Sequence, residues 1–151
     1  MSTPREQAQA YAREAQRLRD AGDYYEAATR QRRAVALLRD TGDKVAIAHA
    51  LRHLADILVE AGQPSEADGP ITEMLALYRA APDTPPLELA NALRSAAVHA
   101  EALGDIDTAW IFWIQARARY AALDTLFEQL TGKQENPGVA EADARLTRLR
   151  G

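Results

Sequence analysis

The chain has 151 residues, enough for one domain with its own core, and an apolar fraction of 47% excludes disorder throughout. Its 18 basic and 22 acidic residues leave a net charge of −4, which gives no general attraction to nucleic acid. The absence of cysteine excludes a disulfide framework and a thiolate metal site.

In chain order, Thr3-Pro4-Arg5-Glu6 is a capping box with proline at the first helical position, predicting a helix over Pro4–Ala21. Gly22 ends it, and Asp23-Tyr24-Tyr25-Glu26 caps a second helix over Tyr24–Arg39. Gly42 and Asp43 set off a third, Lys44–Ala61, in which Ile47, Leu51, Leu54, Leu58 and Ala61 recur on one face. Gly62 and Pro64 open a fourth, Pro64–Ala80. Gly69-Pro70 interrupts it, so a kink or a true start near Pro70 is expected. After Ala81-Pro82, Thr84-Pro85-Pro86 starts a fifth, Pro86–Leu103, with Leu89, Leu93, Ala96, Ala100 and Leu103 as its stripe. Gly104-Asp105 leads to a sixth, Ile106–Leu130. The polar segment Thr131–Gly138 reads as a loop or hinge before a short helix, Val139–Leu149, with Val139, Ala142, Leu146 and Leu149 as a narrow apolar stripe. No stretch alternates with period two for long, no apolar run approaches the roughly 18 residues of a membrane span, and the start lacks an apolar leader. A soluble, cytoplasmic, all-α protein is therefore expected.

Three segments align: Ala10–Ala27, Ala50–Ala67 and Ala92–Ala109, at offsets of 40 and 42 residues. They share Ala10/Ala50/Ala92, Ala15/Ala55/Ala97, Gly22/Gly62/Gly104 and Ala27/Ala67/Ala109. Alanine lets two helices approach closely, glycine makes the turn between them, and a helix pair of this kind must stack on neighbours to bury its face. The pattern Ala21-Gly22-Asp23-Tyr24-Tyr25-Glu26-Ala27, followed by Ala34 and Leu38, resembles the core of the tetratricopeptide repeat. Gly62, Ala67, Tyr78, Ala81 and Pro86 continue the likeness, as do Leu103-Gly104, Ala109, Ala116 and Tyr120. The long spacing is similar to the variety found in kinesin light chains. The resemblance implies a right-handed α-α superhelix of three pairs, at about 4–40, 44–81 and 86–130, within a repeat domain spanning 1–131. Residues 132–151 would add a loop and a helix that caps the open end, or else a mobile tail that docks on a partner. Ser65, where the family usually carries an aromatic, and Gly69-Pro70 depart from the pattern.

The resemblance also implies a binding groove on the first helix of each pair. The matching positions are Arg13, Gln16 and Arg19, then His49, Arg52, His53, Asp56 and Glu60, then Asn91, Arg94, Ser95, Val98 and Glu101. Related long-repeat proteins hold an extended peptide with asparagines where this chain has Arg52-His53 and Arg94-Ser95. An arginine fork suits carboxylates, so a protein or peptide partner with acidic groups or a free C-terminus is expected. Solvated arginines paired with Asp56 and Glu101 are the simpler alternative. His49, His53 and Asp56 have spacing that could hold zinc, but no third ligand pattern or glutamate base accompanies them, so no metal and no cofactor are expected. Trp110-Ile111-Phe112-Trp113-Ile114 is too continuous for one helix face to bury. Trp110, Trp113 and Ile114 are therefore candidates for self-association, against the alternative that core packing absorbs them.

No phosphate-binding glycine loop or nucleophile elbow is present, so an enzyme is not expected. The leading expectation is a protein- or peptide-binding adaptor, with homodimer formation as an option. The alternative is a self-assembling structural repeat protein without a peptide ligand, its groove filled by its own tail or by a second copy. Neither nucleic acid nor membrane is an expected partner.

Overall fold

The computed structural model describes residues 1–132 and 136–150, with Thr125, Leu126 and Phe127 described by their backbone alone. Lys133–Glu135, in the middle of the expected loop, lie outside the described residues. Regular structure among the described residues is entirely helical: α1 (Pro4–Asp20), α2 (Tyr24–Arg39), α3 (Lys44–Glu60), a 3-10 turn (Pro64–Ala67), α4 (Asp68–Ala80), α5 (Pro86–Ala102), α6 (Ile106–Ala121), α7 (Asp124–Thr131) and α8 (Pro137–Leu149). Among the described residues, no helix is long and apolar enough to cross a membrane.

Local chemistry accounts for most boundaries. Thr3, Asp23, Asp43 and Asp105 each accept a hydrogen bond from a first-turn amide of the helix they precede. At the end of α1 the Gly22 amide donates to Arg19 O and the Asp23 amide to Leu18 O. The same pair recurs at Gly62 and Gln63 after α3, and at Gly104 and Asp105 after α5. These are Schellman closures, and they require a left-handed glycine. Gly22, Gly62 and Gly104 have φ of 80°, 77° and 78°. The aligned segments of the sequence are thus three turns of one geometry.

Three boundaries differ from expectation. The segment after Gly62 is first a 3-10 turn, and α4 begins at Asp68. Pro70 then falls in the first turn of α4, where an amide has no intrahelical acceptor and a proline costs nothing. The sixth predicted helix is two, broken at Ala122-Leu123. There the Leu123 amide donates to Tyr120 O and tightens the turn, without glycine or proline to mark it. The last helix begins at Pro137, not Val139, because the Asn136 side chain caps it by accepting from the Gly138 amide at 2.8 Å.

The chain divides into two compact units, Met1–Pro82 and Asp83–Gly151. In the first, α1 packs on α2, α2 on α3, and α3 on α4. Ala27, Ala48, Ala55 and Ala67 are completely buried, together with the larger Leu51, Ile57, Leu58 and Met74. The buried Gln31 amide donates to Ala50 O at 3.0 Å and links α2 to α3. Ion pairs fix the directions. Arg5 meets Asp43 at one end and Arg19 meets Glu60 at the other, so α1 and α3 run parallel. Arg32–Glu66 joins α2 to the 3-10 turn and Arg39–Glu73 joins α2 to α4, so these outer helices also run parallel. Each pair is part-exposed and adds little energy alone, but together they report that the second helix pair repeats the first in register.

In the second unit α5 and α6 form the hairpin, and α8 packs on α6. Trp113 is fully buried at 0% exposure, with Ala109, Ala116 and Ala142 equally enclosed.

Candidate binding faces

In the first unit, α1 and α3 place Arg19, Arg52, His53, Asp56 and Glu60 on adjoining faces. Arg19 closes a two-point fork on Glu60, at 2.7 Å from Nε and 2.5 Å from Nη2. That bond, with Asp56 nearby, raises the guanidinium pKa above its ordinary value despite partial burial. Arg52 is different. Its side chain is only 13% exposed, Asp56 stands 3.7 Å from its Nη1, and its buried Nε has no hydrogen-bond partner. His49 and His53 meet with Nε2 atoms 3.2 Å apart and rings nearly perpendicular. Among the described residues no group of three or more His, Asp or Glu is placed to hold a metal ion. Arg13 and Gln16 are exposed on α1, and the Gln16 amide donates to Asp20. On the other side of the unit, a slot of about 370 Å³ between α2, α3 and α4 has Leu51 and Leu54 as its floor and the Arg39–Glu73 pair at its rim.

In the second unit the expected groove residues meet α8 or the core. Arg94 forks onto Glu141, at 2.5 Å from Nε and 2.9 Å from Nη2. Asn91 accepts from the Tyr120 hydroxyl at 2.6 Å. Val98 is half-buried. Ser95 is buried, its Oγ without a hydrogen-bond partner, so it has no surface to offer a ligand. Glu101 gathers three donors: the Trp113 indole at 2.6 Å, Arg145 at 3.1 Å and Arg148 at 2.6 Å.

The apolar run of α6 divides as helical geometry requires. Trp113 belongs to the core and presents nothing to a second copy, which corrects its placing as a self-association residue. Trp110 is half-buried, with the Arg150 guanidinium 4.5 Å from its ring centroid. Ile111 and Ile114 remain 53% and 46% exposed.

The residues that pattern reading missed lie mostly on α8 and on the face of α6 beneath it. Along α6 and α8 the contacts run in strict opposite order: Tyr120 with Gly138, Arg117 with Asp143, Trp113 with Arg145, Trp110 with Arg150. The two helices are therefore antiparallel. Against α5, Arg94 meets Glu141 and Glu101 meets Arg145 and Arg148, so α8 runs parallel to α5, as α3 runs parallel to α1. The signal in the sequence was the charge order of α8, acidic at Glu141 and Asp143 and basic at Arg145 and Arg148. An apolar stripe alone does not reveal it.

This charge order makes the seating of α8 sensitive to acid. Burial pushes the Glu101 carboxyl up, but the Trp113 N–H and the two arginines together more than offset it and hold it below the ordinary range. The Arg94 fork likewise holds Glu141 low against partial burial. A depressed folded pKa contributes stability that is complete above the ordinary glutamate value, about 4.3, and lost as pH falls through the lower folded values. We expect α8 to stay docked at neutral pH and to loosen below about pH 4. The check is tryptophan emission together with amide exchange in α8. Unchanged protection of α8 down to pH 3 would remove the ionic explanation.

The chain matches no model of a known protein family and no curated protein.

Proposed function

We propose that the chain is a protein- or peptide-binding adaptor of the tetratricopeptide kind, in which the α1–α3 face of the first unit takes an acidic segment or a free C-terminus. The observation that carries this reading is Arg52. Its guanidinium is largely withdrawn from water and keeps an unpartnered buried Nε, and its carboxylate neighbour is 3.7 Å away. The enclosed Nε is out of a ligand's reach, but a carboxylate or carbonyl oxygen can meet the exposed part of this guanidinium, which the 3.7 Å contact with Asp56 pairs only loosely. The two helix pairs in register and the repeated glycine closures support the repeat reading. Of the two arginines at matching repeat positions, Arg94 is engaged by Glu141, so the reading rests on Arg52.

The test is an array of acidic peptides, with free and amidated C-termini, probed with the wild-type chain and with Arg52→Glu. Peptides that bind the wild type should lose at least about tenfold in affinity, or about 1.4 kcal/mol, while helical circular dichroism is unchanged. Binders indifferent to Arg52 would overturn the assignment of this face.

A second reading, self-assembly, rests on Ile111 and Ile114, exposed one turn apart on α6. Sedimentation should then show an oligomer that Ile111→Glu with Ile114→Glu converts to monomer. A monomeric wild type at 100 μM (about 10⁻⁴ M on the affinity scale) excludes it.

A further inference from the structure

We propose that His49 and His53 form a binding site for a zinc-class divalent ion on α3, with both Nε2 atoms as ligands and the remaining coordination positions open to water. The site stands apart from the peptide reading of the Arg52 face, because the ion is titrated with no peptide present.

Spacing alone does not make such a site. Residues four apart share a helix face, but their side chains can still point to different places. The structure adds where the rings point. Their centroids are 4.6 Å apart and their Nε2 atoms only 3.2 Å, so the two Nε2 corners converge and the rings do not stack. Two nitrogens held at about 2.0–2.1 Å by one tetrahedral ion stand about 3.3–3.4 Å apart. The pair already has nearly that separation, and zinc can enter with little ring movement. Without an ion, one Nε2–H donates to the other Nε2. Zinc takes the place of that hydrogen: the donating ring moves its proton to Nδ1 through solvent, both Nε2 lone pairs go to the ion, and no proton is gained or lost overall.

The helix holds the pair in place. Ile47, Ala48, Ala50, Leu51 and Leu54 are buried, so the turns of α3 that carry both histidines are fixed before the ion arrives. The ordering cost of binding is then confined to two side chains. His49 is exposed and His53 half-buried, which leaves the pair open to an ion from solvent. Arg52, next to His53 in the chain, has the Asp56 carboxylate 3.7 Å away, which offsets part of its repulsion of a cation. Among the described residues no third His, Asp or Glu completes the set. The site is therefore weaker than a structural zinc centre with four protein ligands, and its ion is exchangeable.

The experiment titrates zinc chloride by calorimetry into the full chain, first stripped with a chelator, and repeats this with His49→Ala, with His53→Ala and with both. The wild type should bind one ion per chain, and each single variant should lose at least about tenfold in affinity, or about 1.4 kcal/mol. Because the ion joins two turns of folded α3, saturating zinc should raise the Tm of the wild type and leave that of the double variant unchanged. In nitrogen NMR of the rings, zinc should move the Nε2 resonances of His49 and His53 and not those of His99. Alanine keeps the helix, and both positions lie on an open face, so the variants should stay folded. The proposal is overturned if the wild type shows no saturable binding up to about 1 mM, if either single variant binds as tightly as the wild type, or if His99 carries the shift.

Discussion

Trp113→Ala should destabilise the second unit by about 3–5 kcal/mol, the largest single loss expected in the protein. Trp113 is fully buried, Ala109, Ala116 and Ala142 of the same unit are equally enclosed, and truncation leaves a cavity that such small residues cannot fill. The indole N–H to Glu101 is lost as well, and so is the ring beneath the Arg145 guanidinium at 5.4 Å. The effect should appear in urea as an early loss of helical signal, with the part arising from the first unit retained. Trp113→Phe keeps most of the apolar volume and drops the N–H, so it should cost clearly less. A loss below about 1 kcal/mol for Trp113→Ala would mean that the ring is not the centre of this core.

Gly138→Ala should reverse the sign normally expected of its substitution. In a helix, replacing glycine by alanine ordinarily stabilises by about 1 kcal/mol. Here an added Cβ would stand 2.5 Å from Tyr120 Cγ and 2.6 Å from both Cδ atoms. The ring has little room to yield: Tyr120 is buried and its hydroxyl is tied to Asn91. Either α8 lifts or Tyr120 swings and gives up that bond, a cost of about 1–3 kcal/mol by comparison with overpacked cores. Because the penalty falls on the α6–α8 contact, amide exchange in α8 should accelerate and the tryptophan emission should shift, with the first unit unaffected. A stabilised protein with a protected α8 would show that the contact gives way freely.

Both variants act on the place where α8 meets the α5–α6 hairpin, and they bear on function through it. The resemblance to the repeat family implied binding positions on the first helix of each pair, Arg52 and Arg94 among them. The second unit instead presents Arg94 to a carboxylate of its own chain, so the adaptor reading rests on Arg52 and the first unit, and the seat of α8 becomes a separate question. Arg52→Glu and the α8 variants should therefore give separable phenotypes, the first in peptide binding and the second in the stability and exposure of the C-terminal helix.

What the sequence determined by itself was local. Glycine at Gly22, Gly62 and Gly104 and aspartate at Asp23, Asp43 and Asp105 specify helix ends through bonds spanning only a few residues, and the hairpins follow from them. Apolar spacing likewise marked Leu51, Leu54 and Leu58 as core. Tertiary structure decided what depends on residues far apart in the chain. That Trp113 rather than Ile114 is the buried residue of its run follows from the orientation of α6 against α5 and α8. That Arg94 meets Glu141 rather than solvent follows from where α8 comes to rest, 47 positions along the chain. The break at Ala122-Leu123 carries no residue that ends helices by itself. The physical reason is common to all three: caps and turns are settled by a few neighbouring backbone groups, whereas pairing and burial are settled by which distant face fills the space, and a helical stripe is the same whichever partner it meets.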